Sequence, residues 1–238
     1  MIRLSVNVNK VATLRNARGG VVPDVVRAAR AAVAAGCHGI TVHPRPDERH
    51  IRRRDVLDLA AALTVELNVE GYPSPDFLDL VCRVRPAQCT LVPDPPDALT
   101  SNAGWPFEGE VAWLAEPIRR LRDHGVRVSL FAEPIESHMA RARALGADRV
   151  ELYTERYART FGAPEGPAVL ETFRRAAMAA AEAGLGLNAG HDLDLANLPL
   201  FARRVPGLLE VSIGHALVSD ALFMGLDATV KAYLAALS

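Results

Sequence analysis

The chain has 238 residues, half of them hydrophobic and 23% charged, with a formal net charge of −1; this allows a large core, argues against disorder, and leaves no global field to draw nucleic acid or an anionic membrane. The three cysteines, Cys37, Cys82 and Cys89, are odd in number and form no CxxC spacing, which fits reduced, buried thiols in a cytoplasmic protein. Met1 to Val6 runs directly into a strand pattern with no signal-like apolar region, and no apolar run reaches membrane-spanning length.

Short β-like runs alternate with longer Ala-rich or amphipathic runs. Leu4 to Val8 reads as a first strand. The segment from Ala12 to Gly20 reads as a basic, glycine-ended loop that could close over an anion. Pro23 sits at a first helical turn, Asp24 to Ala35 follows as helix, and Gly36 stops it. Gly39 to Val42 is a second strand. Arg52-Arg53-Arg54 fits a solvated helix start, before a helix from Asp55 to Leu63. Leu67 to Glu70 is the third strand, and Ser74-Pro75-Asp76 caps the next helix. Gln88 to Val92 is the fourth strand, followed by a long loop to Gly109 and a helix from Glu110 to His124. Val126 to Phe131 and Arg149 to Leu152 are strands flanking a helix from Ile135 to Leu145. A helix from Pro167 to Ala183 precedes the strand Leu185 to Asn188. A short helix from Leu195 to Arg203 leads to the eighth strand, Leu208 to Ile213, and Ala221 to Ala236 is a closing helix.

Strands separated by helix-length crossovers imply a parallel sheet. Eight such units in one chain favour a closed barrel, and a barrel of this kind takes about 250 residues. The expectation is therefore an α/β fold, one (β/α)8 TIM-barrel domain over residues 1–238. The strands read as mostly apolar, as expected when both faces are buried.

In such a barrel the reactive groups gather at the C-terminal ends of the strands. Asn7, Asn9 and Lys10 follow the first strand; His43, Arg45 and His50 the second. Glu70 ends the third, Thr100 lies in the loop after the fourth, and Glu133, Glu151, His191 and His215 follow the fifth to eighth. Alternation places His43 and Arg45 on one side, a proton carrier beside a phosphate holder, or else a core-capping histidine beside a surface arginine. Glu70, at the end of an apolar strand, suits either general-base work or a salt bridge at the barrel mouth. Asn188-Ala189-Gly190-His191 and Ser212-Ile213-Gly214-His215 repeat a strand end followed by Gly-His. Together they match the common barrel phosphate site after strands seven and eight, the alternative being two unrelated turns.

GxGxxG, P-loop, HExxH and GxSxG patterns are absent. Only two of the 27 basic residues are lysines, Lys10 and Lys231, so a Schiff-base lysine on a later strand is excluded.

The chain resembles the pyridoxine 5'-phosphate synthase family. The likeness is carried by Val6-Asn7-Val8 with Ala12 to Gly19, Gly39 to His43 with Arg45, Arg49-His50-Ile51, Asn68-Val69-Glu70 and Leu91-Val92-Pro93. It continues through Val128 to Phe131 and both Gly-His segments, and so runs the length of the chain. The resemblance implies a barrel with extra helices, assembled as a homo-octamer, that needs no metal or organic cofactor. Its substrates would be two small phosphorylated molecules, 1-deoxy-D-xylulose 5-phosphate and 3-amino-2-oxopropyl phosphate, and its products pyridoxine 5'-phosphate, inorganic phosphate and water. It implies that His43 and Glu70 accept protons, His191 donates one and Glu151 stabilises a transition state. Asn7, Arg18, Gly214 and His215 would hold the aminoketone phosphate; Arg45, His50 and Thr100 the pentulose phosphate. Two places depart from the family pattern. Asn9-Lys10 replaces an Asp-His pair beside the pentulose phosphate, so binding is expected to survive with altered pH dependence. Asp192 replaces a glycine, and its carboxylate is expected to turn away from the phosphate and leave its backbone N–H to serve. The competing readings are an isomerase or epimerase acting on one phosphosugar, and a phosphate-binding barrel without catalysis.

Overall fold

Leu4 and Val6 are buried against the helices, whereas Ser5 between them bonds to Thr41 Oγ1 of the next strand at 2.7 Å. This two-residue alternation recurs around the molecule and defines the architecture. In the computed structural model, residues 1–94 and 101–238 are described. Eight parallel strands close into a barrel in chain order: β1 (Arg3–Asn7), β2 (Gly39–Val42), β3 (Glu66–Gly71), β4 (Gln88–Leu91), β5 (Arg127–Ala132), β6 (Arg149–Tyr153), β7 (Gly186–Gly190) and β8 (Leu208–Ile213), with β8 pairing back onto β1. The expected (β/α)8 barrel is therefore observed.

The strands are buried on both faces, but the two faces differ chemically. Leu4, Ile40, Val69, Cys89, Val128, Val150, Leu187 and Val211 pack outward into the hydrophobic layer beneath the helices. Most of the inward residues are polar. Asn68 receives a bond from Thr90 Oγ1 at 3.2 Å, and Thr90 also reaches Glu151 at 3.4 Å. Strands β4 and β6 are not neighbours, so that last bond crosses the barrel interior. Reading the strands as mostly apolar thus missed that the interior is a polar layer, in part hydrogen-bonded, with Gln88 Nε2 and Ser129 Oγ left without a partner among the described residues. Such groups cost stability in a core unless partnered.

The surrounding helices are α1 (Asn9–Asn16), α2 (Val25–Ala34), α3 (Arg53–Ala62), α4 (Pro75–Val84), α5 (Ala115–Asp123), α6 (Glu136–Ala144), α7 (Glu155–Thr160), α8 (Gly166–Glu182), α9 (Leu198–Arg204), α10 (His215–Met224) and α11 (Leu226–Ala236). Ser74 caps α4 by accepting from the Phe77 N–H, and Asp24 caps α2 through the Arg27 N–H. Three differences from the sequence reading have local causes. The Ala12–Gly20 loop is helix as far as Asn16, fastened by Arg15, whose guanidinium bonds both oxygens of Asp55 at 2.6 and 2.9 Å. The closing helix is two helices, because Gly225 takes φ +78°, a conformation that breaks the helical path. Helix α7, six residues long, is too short to show a helical period. All three cysteines are free and buried, and no helix among the described residues is long and apolar enough to cross a membrane.

Candidate active site

The polar interior opens at the C-terminal ends of the strands into a cavity of about 480 Å3. Asn7, Asn9, Lys10, His43, Arg45, His50, Glu70, Glu151, His191, Asp192, Gly214 and His215 all line it. Of the residues nominated from sequence, Arg18 is exposed in the turn after α1 and does not line it, and Thr100 lies outside the described residues. Val92, Ser101, Phe131 and Ser212 line it without having been nominated. Ser212 was accessible to the two-residue alternation, being the inward residue at the end of β8; Phe131 carries no polar signal. Glu133 instead bonds the Gly104 N–H at 3.0 Å and fastens the loop. A second, mostly apolar cavity of about 560 Å3 lies on the outer surface among α7, α8 and α9 and holds none of the strand-end residues.

His43 follows β2, and its backbone N–H donates to Asn9 Oδ1 at 2.9 Å, while Asn7 Oδ1 accepts from the Asn9 N–H at 2.9 Å. Asn9 therefore braces the loop that carries His43. His43 Nδ1 stands 3.8 Å from Glu70 Oε2. Burial, reinforced by Arg45, His50 and Arg49, pushes the His43 pKa well below its ordinary value, so the ring is neutral near pH 7. Burial pushes Glu70 the other way, well above the usual carboxylate range, and the charges of Glu151 and Asp94 add to it against the pull of Arg45. Burial thus drives both groups toward their uncharged forms, a carboxyl beside a neutral imidazole.

Across the cavity, burial and then Glu210 push Glu151 up to about 7, while His191 and Thr90 oppose the shift. His50 is pushed down to about 4 by burial and by Arg45 and Lys10. Its Nδ1 accepts from the Ile51 N–H at 2.8 Å, which places the proton of the neutral ring on Nε2 as a donor. Arg45 is buried and bonds Asp94 Oδ2 at 2.6 Å, and Ser101 Oγ donates to the same oxygen at 2.5 Å. This triad ties the strand-four loop to the arginine.

The two Gly-His segments converge on the cavity for steric reasons. A Cβ on Gly190 would lie 2.4 Å from the Ser212 carbonyl oxygen and 3.1 Å from Glu151 Oε1, and one on Gly214 would lie 3.0 Å from Asn7 Cβ. Gly214 caps α10, whose first residue is His215, so that helix's partly positive N-terminus opens on the cavity. His191 takes φ +88°, a strained backbone position for a residue with a side chain. Its ring meets the edge of Tyr153 at 5.2 Å. The Asp192 carboxylate turns to His191 Nδ1 at 2.6 Å. Its backbone N–H lies 3.5 Å from Thr154 Oγ1, a contact at the outer limit of a hydrogen bond.

This arrangement, two acid–base pairs in one polar cavity flanked by an arginine, a lysine and a helix N-terminus, suits proton transfers on anionic substrates. Solved structures of similar fold include tryptophan synthase from M. tuberculosis (TM-score 0.67, 17% identity, covering 100% of this chain and 94% of that one) and phosphoribosyl anthranilate isomerase from Thermotoga maritima (TM-score 0.61, 13% identity, 100% and 98%). At such identities they speak for the fold alone. The curated relatives are much nearer. The pyridoxine 5'-phosphate synthase of Bacteroides fragilis is 55% identical over 234 residues, 98% of each chain. That of Xanthomonas axonopodis pv. citri is 54% identical over 98% of this chain and 95% of its own. The family described as pyridoxal phosphate biosynthesis protein PdxJ matches residues 4–238, and with the fold, the cavity and these relatives in agreement, the chain belongs to that family.

Proposed function

We propose that the chain is a pyridoxine 5'-phosphate synthase of vitamin B6 biosynthesis. It joins 1-deoxy-D-xylulose 5-phosphate to 3-amino-2-oxopropyl phosphate and releases inorganic phosphate and water. The observation that carries this reading is that His43, Glu70, Glu151 and His191 meet in one cavity in a chain 55% identical to a named synthase. The amine of one substrate forms the imine with the ketone of the other, so the protein itself needs no amine nucleophile. Its work is to hold two phosphates and to move protons during imine formation, dehydration and ring closure.

In this reading Arg45, His50 and Thr100 hold the pentulose phosphate, with Asn9 and Lys10 beside it. Asn7, Gly214 and His215 hold the aminoketone phosphate, with the N-terminus of α10 behind them; Arg18, outside the cavity, joins them only if the turn after α1 folds in. The neutral His43 accepts a proton. Burial favours the protonated form of Glu70, and a cationic imine nitrogen brought beside it favours the carboxylate, so substrate binding strengthens it as a base. His191 donates a proton to a departing oxygen, and Glu151 faces positive charge that develops in the transition state. The protein acts in the cytoplasm as a homo-octamer. Apolar side chains at Leu222, Phe223 and Met224, with Phe223 91% exposed, support an assembly that covers them.

The test is an assay with both substrates that follows phosphate release and pyridoxine 5'-phosphate together. Equal amounts of the two are expected, with His43→Ala or Glu70→Gln lowering the rate by about 100-fold or more. Absence of both products from folded wild-type protein would overturn the reading.

A further inference from the structure

The His191–Asp192 pair has a geometry that substrate binding does not require. Nδ1 of the ring and Oδ2 of the neighbouring carboxylate are 2.6 Å apart. An ionised carboxylate only accepts hydrogen bonds, so Nδ1 carries the proton and donates it, and Nε2 becomes the nitrogen that takes up or gives a proton. Asp192 is itself held. Its carbonyl accepts from Asn197 Nδ2 at 3.3 Å. Asn197 and Asp194 exchange backbone-to-side-chain bonds at 2.8 and 3.0 Å. The ring also makes a T-shaped contact with Tyr153, and its own backbone takes a φ of +88°.

We propose that Asp192 is a positioning residue that fixes the tautomer and orientation of His191, so that Nε2 is the group presented to substrate. When Nε2–H passes its proton to a departing oxygen, the ring is left neutral with its remaining proton on Nδ1, still held by Asp192. A contact with a substrate phosphate would be repulsive, so the side chain contributes through the histidine and not through binding. As far as turnover is concerned the proposal rests on the synthase reading; the tautomer is independent of it.

The experiment uses full-length protein with Asp192→Ala and Asp192→Asn, read in two ways. Nitrogen-15 NMR of histidine-labelled, substrate-free protein, with the His191 signal assigned by its loss in His191→Gln, reports the tautomer. Wild type is expected to carry the neutral-ring proton on Nδ1, and Asp192→Ala to shift toward the Nε2–H form. Steady-state kinetics of the condensation are expected to show kcat lower by about 10- to 100-fold in both variants, less than for a fully buried triad carboxylate because Asp192 is part-exposed. KM for both substrates should stay within about twofold, and Tm should stay near wild type. An unchanged tautomer in Asp192→Ala, an unchanged kcat, or a raised KM at constant kcat would each overturn the proposal. If wild type does not turn over the two substrates, the synthase reading falls and the NMR arm alone decides the pairing.

Discussion

Lys10 sits at the second position of α1, exposed at the rim of the cavity, and its charge helps to hold down the pKa of His50. In the proposed reading its ammonium lies beside a phosphate and contributes attraction without the fixed geometry of Arg45. We therefore expect Lys10→Ala to raise KM for the pentulose phosphate by about 5- to 10-fold, on the order of 1 kcal/mol, with kcat little changed. Steady-state kinetics with the pentulose phosphate varied would check this, and unchanged KM values would mean that Lys10 takes no part in binding. At this scale the site was legible where chemistry marks a strand end. His43, Glu70, Glu151 and His191 are titratable groups at the points where a barrel opens, and all four line the cavity. What sequence could not give was second partners. The Asn9 bond to the His43 N–H, the Asp94–Ser101 clasp on Arg45 and the Asp192–His191 bond each depend on loop conformation, which no periodicity encodes.

Elements were legible where a period or a cap exists. β2 and β8 fall at the expected residues, and α4 starts at the expected serine cap. Helix α1 was not legible, because its buried residues are only Ala12 and Arg15, which make no apolar stripe. Its place is set by tertiary bonds. Arg15 Nη2 also donates to the His50 carbonyl at 3.0 Å, and Asn16 Nδ2 donates to the same oxygen at 2.8 Å. The Arg15–Asp55 pair is thus the clasp between α1, α3 and the loop that carries His50. Removing one partner of a buried pair leaves the other charge uncompensated, at a cost of about 3 kcal/mol. Arg15→Ala should lower Tm by roughly 6 to 12 °C, and Arg15→Lys should recover only part of this, because an ammonium cannot bridge both Asp55 oxygens. Thermal unfolding followed by circular dichroism distinguishes this from a solvent-exposed arginine, whose loss would leave Tm within a degree or two.

For the whole molecule, the polar barrel interior works against stability. Glu70, Glu151 and Glu210 all have pKa values raised by burial, with neighbouring carboxylates adding to the shift. The unfolded chain loses these protons near the ordinary value of 4.5, whereas the folded protein retains that of Glu151 up to about 7. Between those values the folded state binds more protons than the unfolded state, so this contribution to stability falls as pH rises, and the full cost is reached above the folded pKa. Glutamine at position 151 keeps the shape and hydrogen-bonding capacity without the ionisation. Glu151→Gln is therefore expected to melt higher than wild type at pH 8, by roughly 5 °C, with the gap nearly closed at pH 4.5. Comparing variant with wild type at each pH cancels the opposite trend of salt-bridged carboxylates such as Glu66, whose pKa is lowered by Arg127 and Arg3 despite the opposing effect of its partial burial. The same variant should lose synthase activity if Glu151 meets positive charge during the reaction, as proposed above. A constant Tm difference across the pH range would mean that Glu151 is ionised at no cost in the folded barrel, and that the polar layer around it, rather than its burial, dominates its charge state.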